Sequence, residues 1–238
     1  MGEGPIRPRV AVRVINEEMK EHHDVSRYTQ REEYANIATH GIGALLSIVA
    51  LVVMVVYATR YGNPYHIVSV SIFGATLILL YLMSTLYHTF RDPKIKHVFR
   101  VFDHSCIYLL IAGSYTPFTL VTLRGGWGWT LFGLTWGLAL CGVVFKIFFT
   151  KRFNLLSTLM YIALGWTAII AIKPVIENVP VWGITWLVSG GLLYTFGTIF
   201  YLWRRIPYHH AIWHLFVMAG SFCHFLAVFY YVLPPASA

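Results

Sequence analysis

The sequence predicts an all-α polytopic membrane protein, a bundle of seven transmembrane helices with its N-terminus in the cytoplasm and its C-terminus outside. Three observations carry this prediction. Hydrophobic residues make up 57% of the 238-residue chain and charged residues only 12%, about half the charge expected of a soluble domain. Apolar stretches of about 20 residues, the length that crosses a bilayer core, alternate with short polar joints. Lys and Arg collect in alternate joints, which sets the orientation.

The first span is expected over residues 36–57 and the second over 66–90, separated by "RYGNPYH", whose Gly, Asn and Pro stop one helix and start the next. The third, 102–123, follows "RDPKIKH", and the fourth, 127–149, follows "RGGWG". The fifth, 155–172, ends at "KPVIENVP", while "RRIPYHH" joins the sixth, 181–203, to the seventh, 209–232. The expected division is a cytoplasmic N-terminal tail over 1–35, a membrane domain over 36–232 and a short external C-terminal tail over 233–238. The N-terminal stretch is too polar for a secretory signal peptide, so the first span is expected to serve as its own insertion signal.

Fifteen of the 18 Lys and Arg residues fall in the tail and around the joints after spans two, four and six; only Arg60, Arg124 and Lys173 fall on the other side. The basic balance therefore faces anionic lipid and calls for no nucleic-acid partner. This orientation excludes the seven-helix receptors that signal through G proteins, whose N-terminus is outside. The three cysteines, Cys106, Cys141 and Cys223, lie inside apolar segments and read as packing residues rather than as a disulfide or zinc knuckle.

Ionisable side chains at membrane depth are costly, so each is a site candidate by default. His88 lies near the end of span two, Asp103 opens span three, His210 and His214 open span seven, and Asn36 and His40 open span one. Any one of them could simply reach the headgroups or bond a neighbouring helix. Together they bring three or four histidines, one carboxylate and one amide from four segments to the cytoplasmic end of the bundle. Ser84 and His88, Asn36 and His40, and His210 and His214 are each four apart, so each pair shares a helix face. His224 continues the polar stripe of span seven inward, about 21 Å from His210 along the axis, and reads as a packing or water-bonding residue.

Neutral imidazole is the usual zinc ligand, and three of them with one open position is the arrangement of a catalytic zinc. A water bound there becomes a nucleophile near neutral pH. The paired histidines enclose "AIW" and no glutamate, unlike His-Glu-x-x-His proteases. Asp103 is then the candidate base, and Ser84 a supporting or oxyanion-stabilising donor.

These residues also stand in motifs. Glu33, Asn36 and His40 form E-x-x-N-x-x-x-H, Ser84 and His88 form S-x-x-x-H followed by Asp103, and His210 and His214 form H-x-x-x-H. With "FDHSCIYLLIAGSYTPF" and "HHAIWHLFVMAGSFCHF", they make the chain resemble a hemolysin III-type bacterial member of the progestin and adipoQ receptor superfamily, relatives of the adiponectin receptors. The resemblance covers nearly all seven spans. It implies a seven-helix bundle with a cytoplasmic N-terminus and a zinc ion held by His88, His210 and His214. It further implies that Asp103 contacts the zinc water and that Asn36 and His40 support the site. Relatives are linked to hydrolysis of lipid amides such as ceramide, and the bacterial branch to red-cell lysis and to membrane-lipid homeostasis. The long cytoplasmic domain of the receptor relatives has no counterpart here, so signalling through it is not expected.

The expected function is a zinc-dependent hydrolase of lipid amide or ester bonds in the bacterial plasma membrane, with a membrane lipid or fatty-acyl ligand. The alternatives are a non-enzymatic membrane sensor stapled by zinc and, third, a hemolysin-type pore. A pore needs a polar path through both leaflets, which the scattered Ser, Thr and Tyr below the cluster do not supply.

Overall fold

A computed structural model describes residues 28–150 and 152–235. The expectations for the N-terminal tail up to residue 27, and for the last three residues, lie outside the described residues. Among the described residues the protein is all-helical, with seven helices long and apolar enough to cross a membrane. They are α1 (Gln30–Tyr61), α2 (Pro64–Thr89), α3 (Pro93–Pro117, extended by a π turn over Phe118–Thr122) and α4 (Gly126–Phe149). The fifth crossing is built from α5 (Asn154–Gly165), a 3-10 turn (Thr167–Ala171) and α6 (Ile172–Asn178); α7 (Val181–Leu202) and α8 (His209–Tyr231) complete the bundle.

Three helix boundaries differ from expectation, each through capping or backbone chemistry that hydropathy does not register. α1 begins at Gln30 because Thr29 and Glu32 form a capping box, each side chain bonding the other's backbone N–H. α3 begins at Pro93 because Asp92 accepts from the N–H groups of Lys94 and Ile95, both at 3.0 Å, and proline suits the first helical position. Lys94, Lys96 and Arg100 are therefore not in a joint but on the first turns of α3, with Lys96 and Arg100 buried. Lys146, counted at the edge of a joint, is fully buried within α4. The fifth crossing runs on to Asn178, with Pro174 tolerated in the first turn of α6, where its missing N–H has no helical acceptor to serve.

The break in the fifth crossing frees backbone groups at membrane depth, where no water can satisfy them. Tyr115 of α3 closes that gap: its hydroxyl donates to the Gly165 carbonyl (2.7 Å) and accepts from the Ala168 N–H (2.9 Å).

α1 packs on α2, α2 on α3 and α7 on α8, while α8 also meets α1. Their shared core includes Met54, Phe73, Leu77, Tyr81, Leu110, Val217 and Val228. A smaller cluster around Tyr108, Ala139 and Tyr161 joins α3, α4 and α5. Leu45, Leu46, Val49 and Val52 on α1, and Leu138, Leu140 and Val144 on α4, are exposed, as lipid-facing side chains must be. The chain is thus a multi-pass membrane protein whose buried side chains include an unusual number of polar groups near the starts of α1 and α8.

Candidate metal centre

The start of α1, the last turn of α2 and the start of α8 converge at one end of the bundle. His210 and His214, one turn apart on α8, have ring centroids 4.5 Å apart, and His88 of α2 stands 5.0 and 5.3 Å from them. All three are buried, and one nitrogen from each can be chosen so that the three lie within 4.8 Å of one another. His40 of α1 stacks flat on His214, with centroids 3.4 Å apart. The histidines expected to converge therefore do so.

The hydrogen bonds around the rings decide which nitrogens face inward. The Glu33 carboxylate lies 2.6 Å from His88 Nδ1, and a carboxylate only accepts, so Nδ1 carries the proton. That leaves His88 Nε2 with a lone pair, buried and without a partner. Thr39 has a single hydroxyl proton, given to the carbonyl of Ala35 or Asn36 (2.9 and 3.0 Å). It therefore accepts from His214 Nδ1, 3.0 Å away, and His214 also keeps Nε2 as an acceptor. Both nitrogens of His210 are buried without partners. Three buried nitrogens, His88 Nε2 and both of His210, left unpaired would be expensive; a cation ligated by one nitrogen of each ring would satisfy two of them. A carboxylate bonded to the far nitrogen of a ligating histidine is also the usual support of zinc. The donor set fits a metal ion.

Glu33 is itself held by Lys96, whose Nζ lies 2.6 Å from its second oxygen. Asn36 Nδ2 lies 3.4 Å from His88 Nδ1 while its Oδ1 has no partner; turning the amide brings the acceptor toward the ring N–H. Glu32 accepts from the Tyr208 N–H at 3.0 Å, tying the start of α1 to that of α8. Tyr208 needs this anchor, because its φ of 57° is left-handed and costly for a side-chain-bearing residue. The Tyr28 ring packs over His88, His209 and His210. His209 Nδ1 donates to the Phe200 carbonyl, 3.0 Å away. Since a carbonyl only accepts, that nitrogen bears a proton.

Ser84 and Asp103 lie on the wall of a cavity that also touches His40, His210 and His214. Ser84 is buried one turn before His88, and its hydroxyl faces the Asp103 carboxylate as a hydrogen-bond donor. Asp103 sits mid-way along α3 rather than at its start, with Arg100 and Lys146 as charged neighbours. His104 lines the same cavity, its Nδ1 3.6 Å from Asp103 Oδ2, and it is held by its neighbours: Nδ1 donates to the Arg100 carbonyl (2.8 Å) and Nε2 accepts from Tyr201 (3.1 Å). The cavity measures about 220 Å3 and its wall is mostly apolar. It runs from the histidines past Leu110 and Phe118 to Leu123 and Val179 at the opposite end of α3 and α6.

The sequence motifs bring together the histidines, Ser84, Asp103 and Asn36 and include Glu33 without a task; Lys96 reads there only as a joint cation, and Thr39 and Tyr28 carry no motif. Glu33 was findable, since it precedes Asn36 by three and His40 by seven and so shares their helix face.

The sequence has relatives among known proteins. A family model described as haemolysin-III related matches residues 28–225. The chain is similar to Hemolysin-3 of Bacillus cereus, 52% identical over 215 residues that cover 90% of this chain and 98% of that protein. It is 53% identical over 204 residues to the Hemolysin-3 homolog of Bacillus subtilis, covering 86% and 96%. A more distant likeness, 27% over 207 residues and 84% of each chain, is to the human Monocyte to macrophage differentiation factor.

Proposed function

The chain belongs to the haemolysin-III-related family of membrane proteins, and from that premise we propose that it is a zinc-dependent hydrolase of lipid amide or ester bonds that adjusts the lipid composition of the plasma membrane. The observation that carries this reading is the meeting of unpaired imidazole nitrogens with a long apolar cavity. Zinc held by His88, His210 and His214 would supply a Lewis acid that polarises a carbonyl and acidifies water at its open position.

The protein's own residues have distinct tasks. Glu33 keeps the His88 proton on Nδ1, and Thr39 does the same for His214. Asp103 takes a proton from the attacking water at its carboxylate, and Ser84 donates a hydrogen bond to the carbonyl oxygen as negative charge develops. The apolar wall from Leu110 to Val179 accommodates an acyl chain and excludes water. Asn36 and His40 hold the rings in place from α1. The excess of Lys and Arg in the tail and in alternate joints supports a cytosolic position for this end, and the departure of Lys96, Arg100 and Lys146 from the joints leaves its direction unchanged.

The test is direct. Elemental analysis of purified protein should find stoichiometric metal in the wild type and little in His210→Ala or His214→Ala. Asp103→Asn should keep the metal and lose lipid turnover, measured by comparing lipids before and after incubation; turnover that survives this change refutes the mechanism.

One observation favours a second reading. The cluster joins α1, α2 and α8, so a metal there could act as a staple for a non-enzymatic sensor. Metal-dependent stability with no lipid changed by the purified protein would select it. The apolar wall of the cavity argues against a pore.

A further inference from the structure

Beyond the histidines the cavity meets a second polar group near the middle of the bundle, which the chemistry above does not use. Tyr194 of α7 and His224 of α8 both line the cavity wall. Ser221 lies about 10 Å and His224 about 15 Å from His214 along the axis of α8.

The hydrogen bonds there do not balance. The Tyr81 hydroxyl donates to Ser221 Oγ at 2.7 Å, against 3.5 Å to the Val217 carbonyl, and Tyr194 stands 2.8 Å from the same Ser221 oxygen. If Ser221 passes its proton to Tyr194, the Tyr194 proton has no acceptor; if Tyr194 donates instead, the Ser221 proton has none. One hydroxyl proton is left over in either case. Beside it, His224 presents a buried Nδ1 without a partner, its ring edge-on to Tyr194 with centroids 5.3 Å apart. The ring occupies space that α7 leaves open at Gly190, where an added Cβ would stand only 2.7 Å from His224 Nε2. A plain hydrocarbon chain passing this point satisfies neither group. His224 gives its Nε2 proton to the Leu187 carbonyl, which leaves Nδ1 as an acceptor, and a hydroxyl, which both donates and accepts, satisfies that acceptor and the leftover proton together.

We infer that the cavity selects lipids carrying a hydroxyl group partway along an acyl chain, bound by Tyr194 and His224, with Ser221 and Tyr81 positioning the Tyr194 phenol. This rests on the reading of the cavity as an acyl-chain site but not on turnover, so binding alone tests it. Purified full-length protein is titrated with stearamide and with 12-hydroxystearamide in competition with a fluorescent fatty-acyl probe. The wild type should bind the hydroxylated chain about tenfold more tightly, the factor expected of one or two net buried hydrogen bonds. Tyr194→Phe, His224→Leu and Ser221→Ala should each reduce that preference to near unity while leaving stearamide affinity unchanged. Tyr194→Phe removes a single oxygen, so it keeps the test available if the other variants fold poorly. Equal affinity of the two chains in the wild type, or a preference that survives in Tyr194→Phe, overturns the inference, as it would if a trapped water satisfied both groups. Failure of either chain to displace the probe overturns instead the acyl-chain reading of the cavity.

Discussion

Glu33 is the residue on which the candidate site turns. Its two oxygens engage Lys96 and His88 at 2.6 Å each, so one carboxylate is fixed by a cation while it sets the tautomer of an imidazole. A neutral amide in its place could still accept from Nδ1, but it would neither raise the basicity of the ring nor keep the pull of Lys96. Glu33→Gln should therefore leave the helices intact and lower metal affinity by about 10- to 100-fold, read from competition with a chelator of known affinity. Affinity equal to wild type would mean that His88 is oriented by packing alone. Thr39→Val probes the same principle more gently. It removes one partner of His214 while the Asn36 carbonyl remains as a backbone acceptor, and should weaken binding less than the loss of the carboxylate. Lys146 follows no such pattern: it is fully buried, 5.8 Å from the Tyr161 ring centroid, and its amine has no hydrogen-bond partner.

Among the elements, the fifth crossing is the one whose continuity depends on a neighbour. Its helix is interrupted between Gly165 and Ile172, and the Tyr115 hydroxyl alone serves both a carbonyl and an N–H at the break. Tyr115→Phe keeps the ring and strands two backbone groups at membrane depth, where water cannot replace the phenol, a loss of about 1–3 kcal/mol. It should appear as a lower thermal midpoint by circular dichroism in detergent, and an unchanged midpoint would mean that the break is satisfied some other way. The same crossing marks the limit of what the sequence disclosed. Seven spans were legible because apolar runs of bilayer length leave little choice of fold. Their ends were not, because hydropathy stops at Lys94 or Glu33 whereas a helix stops where its backbone is capped. Thr29 with Glu32, and Asp92 with Pro93, carry that signal in plain view. The paired histidines were legible from spacing of four. Their partners were not, since Glu33 meets His88 across 55 positions and Thr39 meets His214 across 175, and no local pattern encodes which helix faces which.

At the scale of the whole molecule, the histidines do what no loop does: they bring the start of the first described crossing against the start of the last. α1 and α8 are the first and last crossings, and they meet at this end through His40 on His214, Thr39 with His214 and Glu32 with Tyr208. α2 joins them through His88. A metal bound by His88, His210 and His214 would link α2 to α8, with α1 resting on both through Glu33, Thr39 and His40, so its binding energy would add to the stability of the bundle. Free metal at a thousand times its dissociation constant contributes about 4 kcal/mol, provided the unfolded chain does not bind it. Chelation should accordingly lower the thermal midpoint of the wild type, and readdition of zinc should restore it. His214→Ala should melt at a midpoint indifferent to both treatments, close to that of the chelated wild type once the lost stacking on His40 is allowed for. Magnesium should not replace zinc in this experiment, since imidazole donors without oxygen ligands offer it little. A wild-type midpoint that ignores chelation, while elemental analysis confirms that the metal has left, would mean that α1, α2 and α8 are held by helix packing alone, and the metal would then be free to serve chemistry without serving as a staple.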